Sequence, residues 1–132
     1  MPKKTKIVFS GLEGLSSGVE VVERKGRGHP DTLADSIATT ASYDYSEYCL
    51  KKFGVILHHR FDKTMVIGGR STVAFGQGKM IKPIRLIYNG KISDFFGDQK
   101  IPWKEILTKS ARSHFGKVLP NLDQKWLEIE FN

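Results

Sequence analysis

The sequence predicts an α+β fold in which two helices pack on one face of a mostly antiparallel sheet. Two segments carry apolar residues at helical spacing, one before and one after a block of short β-like runs. The runs in this block are rich in β-branched and aromatic residues and are separated by glycine-containing turns. A block of strands bracketed by helices is typical of α+β domains rather than of alternating α/β domains.

The size and composition of the chain limit its class. It has 132 residues, about the size of one domain. Its apolar runs are only a few residues long, whereas a membrane-spanning helix needs about 20, and no signal-peptide core follows the basic start. The single cysteine, Cys49, excludes an internal disulfide and is expected to be a small buried residue. We therefore expect a cytoplasmic protein without a membrane partner.

The charge balance favours an anionic ligand. The chain carries 21 Lys and Arg against 14 Asp and Glu, a formal net charge of +7. Such an excess attracts phosphates, nucleotides or nucleic acids. Nucleic-acid binding would call for basic residues interleaved with exposed aromatic ones, or for a known binding module, and the sequence indicates neither. We therefore expect a phosphorylated ligand and no nucleic acid.

The chain begins with an irregular lead-in, a strand and a loop. Residues 1–18 combine a basic start with three glycines and are expected to be irregular. Residues 19–132 are predicted to form the α+β unit, which opens with a short strand over Val19–Val22. Residues 23–28 are charged and contain two glycines, so we expect a loop there.

The first helix is predicted from Pro30 to the residue before Gly54. Pro30 suits a first turn because its missing N–H would have no helical partner there. Thr32 and Asp35 resemble a capping box, and Gly54 is a typical stop signal. Apolar residues at spacings of three and four define the face expected to be buried, namely Leu33, Ile37, Ala41, Tyr45 and Tyr48.

The strands that follow are separated by clear turn signals. Asn89-Gly90 predicts a hairpin with a type I′ turn, which needs positive φ at both central residues. Gly76-Gln77-Gly78 is also expected to be a hairpin turn, and Pro83 indicates an edge position or a bulge. The predicted strands cover Val55–Arg60, Thr64–Ile67, Ser71–Phe75, Met80–Tyr88 and Lys91–Phe95.

A second helix and a final strand complete the prediction. The helix begins near Pro102, has an apolar face that includes Leu107 and Phe115, and ends at Pro120-Asn121. Trp126–Phe131 alternates apolar and polar residues and is predicted to be a strand.

The junction between the first loop and the first helix carries the residues best suited to chemistry. Gly26 and Gly28 allow the backbone to approach a ligand closely, and the helix N-terminus that follows favours an anion. Lys25 and Arg27 place positive charge beside these glycines. The combination indicates binding of a phosphate group.

Two further side chains would complete a site for a magnesium polyphosphate. Asp31 supplies the oxygen ligand that Mg²⁺ prefers, and His29 can give or accept a proton near neutral pH. The alternative is ordinary turn and capping chemistry, since Gly-x-Gly before a helix is common. The pattern is neither a P-loop nor a dinucleotide fingerprint. On the residues alone, both interpretations stay open.

Two other patterns favour a structural role. His58 and His59 are adjacent on a predicted strand, so they point to opposite faces and are poorly placed to share a metal ion. We expect one of them to be buried and the other exposed. Gly76-Gln77-Gly78-Lys79 could hold a phosphate, but a hairpin turn is the favoured interpretation.

The junction also closely resembles a known family. Residues 22–35 read Val-Glu-Arg-Lys-Gly-Arg-Gly-His-Pro-Asp-Thr-Leu-Ala-Asp, which is similar to the core motif of archaeal-type S-adenosylmethionine synthetase. The resemblance continues in order through most of the chain, at Phe53-Gly-x-Ile-Leu-His-His, Asp62-Lys63, Gly68-Gly69-Arg70, Phe75-Gly-x-Gly and Ile81-x-Pro-Ile.

The resemblance implies an enzyme that forms S-adenosylmethionine, pyrophosphate and phosphate from ATP, L-methionine and water. It implies a Mg²⁺ cofactor, a homo-oligomer, commonly a dimer, and correspondence of this chain to the N-terminal portion of a longer synthetase. The alternative is a non-catalytic module, derived from that family, which binds a nucleotide or a protein partner.

The resemblance also implies roles for individual residues. His29 would lie against ATP at the reacting centre, and Asp31 would bind Mg²⁺. Glu23, Lys25, Arg27 and Gly28 would contribute to nucleotide binding. Preorganised cations would then stabilise the charge that develops as triphosphate leaves.

Overall fold

A computed structural model describes residue 11 and residues 21–132. The predicted lead-in over residues 1–18, except for residue 11, and the first half of the predicted strand Val19–Val22 lie outside the described residues. Val21 and Val22 are not part of a strand, and their side chains are 91% and 79% exposed. The strand prediction is therefore wrong at these two residues, since no strand among the described residues pairs with them.

The described residues form two α-helices, nine short strands and one turn of 3₁₀ helix. The helices are α1 (Pro30–Phe53) and α2 (Trp103–Val118), and the 3₁₀ turn is Gln124–Trp126. The strands are β1 (His59–Arg60), β2 (Met65–Ile67), β3 (Arg70–Ala74), β4 (Gln77–Lys82), β5 (Ile84–Tyr88), β6 (Lys91–Ile92), β7 (Phe95–Phe96), β8 (Gln99–Lys100) and β9 (Leu127–Phe131).

Helix α1 begins and ends with well-defined caps. His29 is the N-cap, and its side chain accepts a hydrogen bond from the Asp31 N–H. The predicted capping box at Thr32 and Asp35 is therefore wrong, because Pro30 already starts the helix and both residues lie inside it. Gly54 ends the helix with φ of 75°, a left-handed conformation that glycine adopts without a steric penalty.

The central sheet has three strands in the order β2-β5-β9. Strand β5 pairs antiparallel with β2 and parallel with β9. The register aligns Val66 with Leu86 and Leu86 with Ile129, so these three side chains share one face of the sheet. The opposite face carries Arg85 and Glu130, which form a two-point ion pair with distances of 2.7 and 3.0 Å.

The two helices cover the first of these faces. Their apolar stripes pack with the sheet into one buried cluster whose fully buried members include Leu33, Ile37, Leu86, Leu107 and Phe115. A smaller cluster joins Tyr45 and Cys49 to Ile101. The predicted α+β fold, with mostly antiparallel pairing and two helices on one face, is confirmed. Among residues 21–132, neither helix has the apolar length that crossing a bilayer requires.

The run Met80–Tyr88 is two strands rather than one. Pro83 separates β4 from β5, because proline has no N–H to donate to a sheet. Strand β4 pairs only with β3 among the described strands, through a two-residue turn at Phe75 and Gly76, where Gly76 has φ of 74°. We call β3 and β4 together the β3–β4 hairpin. Nearly all of its residues are exposed.

The hairpin predicted at Asn89-Gly90 is wrong. Strand β6 pairs with β1, while β5 pairs with β2 and β9. At Gly90 the backbone runs so close to the carbonyl of Arg60 that an added Cβ would collide with it. Glycine is therefore needed at this position for a close approach of two chain segments, not for a tight turn.

Two other predicted strands are shorter than expected. Val55 and Ile56 directly follow the α1 cap, are about half exposed and form no strand, so only His59–Arg60 remains of the first run. The run Lys91–Phe95 is divided between β6 and β7. Helix α2 and the final strand lie close to their predicted positions.

Candidate functional site

The candidate site is the exposed segment that leads into α1. Residues 21–29 are all exposed, and the N–H of His29 donates to the carbonyl of Gly26 at 3.1 Å, which closes a turn before the helix. The turn contains Gly28 and presents the first residues of α1 toward solvent. We call residues 23–31 the entry loop. The sequence predicted this arrangement of loop and helix start correctly.

Two distant parts of the chain flank the entry loop. A Cβ built on Gly28 would lie 3.2 Å from Cδ2 of Leu119, just after α2, so a side chain there would crowd that leucine. A Cβ built on Gly68 would lie 4.0 Å from Cγ of Pro30. The loop therefore lies between the turn before β3 and the end of α2. Sequence reasoning missed Leu119 and Gly68, since neither carries a signal that links it to a loop far away in the chain.

His29 caps the helix and keeps one ring nitrogen available. Its Nδ1 lies 3.2 Å from the backbone N–H of Asp31 and accepts that hydrogen bond. An imidazole whose Nδ1 accepts carries its proton on Nε2, so Nε2–H is the remaining donor of the ring. The side chain is 41% exposed. His29 can therefore donate from Nε2 to an oxygen atom of a ligand.

Asp31 forms an ion pair with Lys25. The Lys25 ammonium donates to Oδ2 of Asp31, and the two side chains are 59% and 63% exposed. The hydrogen bond from Lys25, followed by its positive charge, lowers the pKa of the Asp31 carboxyl below its usual value. The carboxylate also lies 4.0 Å from Nδ1 of His29. Lys25, His29 and Asp31 therefore meet at one point of the surface.

The other predicted site residues lie in the entry loop but do not contact Lys25, His29 and Asp31 through an ion pair. Glu23 and Arg27 are exposed and form no ion pair with any residue that the structure describes. Gly28 lies within the turn, against Leu119. The structure brings together three of the six predicted residues and places the other three beside them along the loop.

The donors at the entry loop suit a magnesium ion that is bound jointly with phosphate. Mg²⁺ in nucleotide sites takes one or two carboxylates and completes its shell with phosphate oxygens and water. Asp31 offers one exposed carboxylate beside a helix N-terminus, which favours phosphate. Over residue 11 and residues 21–132, no group of three His, Cys, Asp or Glu side chains is arranged to hold a metal by itself. These residues therefore fit a cation that arrives with a polyphosphate.

His58, just before β1, and His59, in β1, have different surroundings. His58 is exposed, whereas His59 is half-buried and hydrogen-bonded to Ser42 at 2.7 Å and to the carbonyl of Leu57 at 2.9 Å. They differ in exposure, as the sequence predicted. The hairpin predicted at Gly76-Gln77-Gly78 is present, but its turn lies at Phe75 and Gly76, and Gln77 and Gly78 already belong to β4.

Comparison with known proteins adds a family relationship to this geometry. A sequence model of the S-adenosylmethionine synthetase (AdoMet synthetase) family matches residues 9–131. An uncharacterised protein of Streptococcus pyogenes serotype M3 is 50% identical over 112 residues, which are 84% of this chain and 28% of that protein.

Two archaeal relatives carry an enzyme name. The S-adenosylmethionine synthase of Archaeoglobus fulgidus is 41% identical over 114 residues, covering 86% of this chain and 28% of the relative. That of Methanothrix thermoacetophila is 42% identical over 105 residues, covering 80% of this chain and 26% of the relative. The chain thus spans little more than a quarter of the length of these curated relatives.

Proposed function

The chain belongs to the S-adenosylmethionine synthetase family, and from this we propose that it supplies the entry loop of an ATP site in such an enzyme. The reaction forms S-adenosylmethionine, pyrophosphate and phosphate from ATP, L-methionine and water. In this proposal the chain corresponds to the N-terminal portion of a longer synthetase. The similarity to archaeal synthases agrees with the resemblance identified in the sequence.

The observation that carries the proposal is the meeting of Lys25, His29 and Asp31 at the start of α1. A proton donor, a cation and a carboxylate share one exposed point beside a helix N-terminus. Anions are stabilised at such a terminus, and triphosphate is strongly anionic. This arrangement supports ATP as the ligand.

Each loop residue has a role in the proposal. His29 donates from Nε2 to ATP near the reacting centre, while Nδ1 stays on the Asp31 amide and fixes the orientation of the ring. Lys25 and Arg27 neutralise phosphate oxygens, and Gly28 lets the backbone approach the ligand. Glu23 contributes to nucleotide binding. Mg²⁺, held by Asp31 and phosphate oxygens, would supply further charge neutralisation as triphosphate leaves.

A chimaera tests this role directly. The matched segment of the Archaeoglobus fulgidus synthase is replaced by this chain, and S-adenosylmethionine formed from ATP, methionine and Mg²⁺ is measured by mass spectrometry. We expect product, and we expect His29→Ala to lower turnover by about 100-fold or more, as for loss of a positioned proton donor. His58→Ala is the matched control, because His58 is exposed and lies outside the entry loop.

Equal turnover of the His29→Ala and His58→Ala chimaeras would contradict the role of His29. A circular-dichroism spectrum and a gel-filtration profile like those of the parent synthase establish that each chimaera is folded. The isolated chain, assayed for product and for Mg²⁺–ATP binding in the same way, measures how much of the site it forms unaided.

We also propose that the chain assembles as a homo-oligomer, commonly a dimer. The face of the central sheet opposite the helices carries Met65 and Ile67, which are 47% and 42% exposed. In the β3–β4 hairpin, Val73 and Phe75 are 81% and 107% exposed. Exposed apolar residues in such number are typical of an interaction surface. Light scattering coupled to gel filtration measures the mass, and a monomer at micromolar concentration would contradict this proposal.

The alternative function is a non-catalytic module that binds a nucleotide or a protein partner. It is favoured by one observation, namely that no group of three His, Cys, Asp or Glu side chains among the described residues is arranged to hold a metal. Mg²⁺–ATP binding by the chain, combined with an inactive but folded chimaera, would support this module. For either function we propose a cytoplasmic location, which a fractionation of cells with an antibody to the chain tests.

A further inference from the structure

We propose that Lys25 competes with a divalent cation for Asp31, so that the cation binds strongly only together with the polyphosphate that takes up Lys25. This inference rests on the proposed function and concerns the regulation of the same site. It makes Lys25 a positioning residue that selects the metal–polyphosphate complex over the free metal ion.

The first step is the contact itself. The Lys25 ammonium donates directly to Oδ2 of Asp31, six residues further along the chain. The turn that the His29 N–H closes on the Gly26 carbonyl brings the two side chains together. One of the two carboxylate oxygens that a divalent cation could use is therefore already bound by a positive charge.

The second step is that this ion pair is easily exchanged. Both side chains are more than half exposed, at 59% and 63%. Exposed ion pairs contribute little to stability because water screens them and because ordering two side chains costs entropy. Lys25 can therefore leave Asp31 for another anion without disturbing the fold.

The third step is the ligand set that remains. Within the part of the chain that the structure describes, Asp31 belongs to no group of three His, Cys, Asp or Glu side chains that could hold a metal ion. A Mg²⁺ ion at Asp31 must take its other ligands from water and phosphate oxygens. The same phosphate oxygens, which the start of α1 attracts, offer Lys25 a new partner.

These steps make the binding of metal and polyphosphate cooperative. A metal ion that binds alone displaces the Lys25 ammonium from Asp31 and leaves it without a partner. When triphosphate binds alone, Asp31 still attracts the Lys25 ammonium, so Lys25 interacts less strongly with phosphate. When both bind, the cation takes Asp31 and Lys25 takes phosphate. By linkage, each ligand then raises the affinity of the site for the other by the same factor.

The experiment measures the Mn²⁺ bound to the chain by equilibrium dialysis, with and without inorganic triphosphate, because triphosphate in solution binds Mn²⁺ itself and would remove the free ion without the protein. We expect triphosphate to raise the Mn²⁺ affinity of the wild type. Lys25→Met should bind Mn²⁺ alone about threefold more tightly, on the scale of one exposed ion pair. Its enhancement by triphosphate should be smaller by about the same factor, because the phosphate oxygens still ligate the cation.

Two further variants serve as controls for the comparison of Lys25→Met with the wild type. Lys51→Met is the matched control, because it removes an exposed lysine that pairs with Glu47 at 3.0 Å near the other end of α1. It should behave as the wild type. Asp31→Asn should lose the binding of Mn²⁺ both alone and with triphosphate, which identifies the carboxylate concerned.

The possible failures are distinguishable. If Lys25→Met binds Mn²⁺ alone no more tightly than the wild type, while Asp31→Asn still loses it, the competition is overturned and the metal role of Asp31 stands. If Asp31→Asn binds Mn²⁺ and Mn²⁺–triphosphate as the wild type does, the metal role in the proposed function fails, and the competition fails with it.

Discussion

The entry loop and helix α1, which follow each other in the chain, differ in the solvent exposure of their residues. Along α1, a stripe of residues four apart is almost completely buried, from Leu33 through Ile37, Ala41 and Tyr45 to Cys49. Its first three members pack in the main cluster with the sheet and α2, and its last two pack against Ile101. In the entry loop every residue before Pro30 is exposed. The helix therefore contributes buried contacts to the fold, whereas the loop is the segment for which we propose a chemical role. Because α1 is anchored by buried side chains, the exposed loop joined to it can keep a defined turn without a hydrophobic core of its own.

The same contrast separates the central sheet from the β3–β4 hairpin. Leu86 and Tyr88 of β5 are 0% and 3% exposed, whereas Val73 and Phe75 of the hairpin contact mostly solvent. Substitutions in the buried regions should change the free energy of unfolding. Substitutions in the exposed ones should change binding and association instead. The following predictions test this division, beginning with the largest effect on stability.

Truncation in the helical core should have the largest effect. Leu107 is 1% exposed and packs in the main buried cluster. Leu107→Ala should lower the free energy of unfolding by about 2–5 kcal/mol, since it leaves a cavity and loses buried apolar contact. Urea denaturation measures the change. Val73→Ala, at a position 81% exposed, is the control and should stay within about 0.5 kcal/mol of the wild type. Similar effects of the two variants would contradict the division.

A pair of glycine substitutions compares backbone packing in the two regions. A Cβ at Gly90 would collide with the Arg60 carbonyl, whereas one at Gly26 in the entry loop meets nothing within 4 Å. Gly90→Ala should therefore destabilise the fold by more than about 1 kcal/mol, and Gly26→Ala should change its stability by less. Thermal unfolding followed by circular dichroism measures both. A melting temperature of Gly90→Ala at or above that of Gly26→Ala would refute the close approach of the two segments.

A smaller effect is expected from pH at the contact between the helices. His114 of α2 lies 2.8 Å from the hydroxyl of Ser36 on α1, and burial, followed by the charge of Lys117, lowers the pKa of its imidazole. The unfolded chain therefore binds the proton more tightly, so stability present above pH 6.5 is lost as the pH falls through the pKa of the folded state. His114→Gln should unfold with a shallower dependence on pH between 7 and 5.

The comparison of interest is the difference between wild type and His114→Gln at each pH, because other groups titrate in both proteins alike. A parallel pair of stability profiles would show that His114 contributes nothing to the pH response.

The smallest effect on stability is expected at the hairpin tip. Phe75 is fully exposed, so Phe75→Ser should leave the free energy of unfolding within about 0.5 kcal/mol of the wild type. If the hairpin takes part in association, the same variant should shift the molecular mass toward the monomer. Chemical denaturation and light scattering measure the two quantities. A large loss of stability would place Phe75 in a packed environment and contradict its exposure.

Local signals in the sequence determined the helices and the composition of the site. The apolar stripe of α1, its proline at the start and Gly54 at its end all act within a few residues, so they could be identified without the fold. The entry loop was predicted for the same reason, since its glycines, charges and helix start are contiguous in the chain. Its motif also identified the family.

The tertiary structure alone decided which strands pair. Asn89-Gly90 has the composition of a hairpin turn, yet β5 pairs with β2 and, in parallel, with β9, because these pairings place Leu86 and Tyr88 against both helices. Val21 and Val22 have strand propensity, but no strand within residues 21–132 pairs with them, and propensity alone does not form a strand. Strand pairing depends on burial summed over distant segments, which no local window contains.

The contacts that complete the site were decided in the same way. The sequence identified Lys25 and Asp31 as neighbours in one loop, but the turn at Gly26–His29 is what joins them in an ion pair. The sequence alone did not predict that Leu119 lies against Gly28. Residue types and their spacing determine which chemistry is available. The packing of distant segments determines which groups meet, because contacts between them have to outweigh the conformational entropy lost when the chain folds.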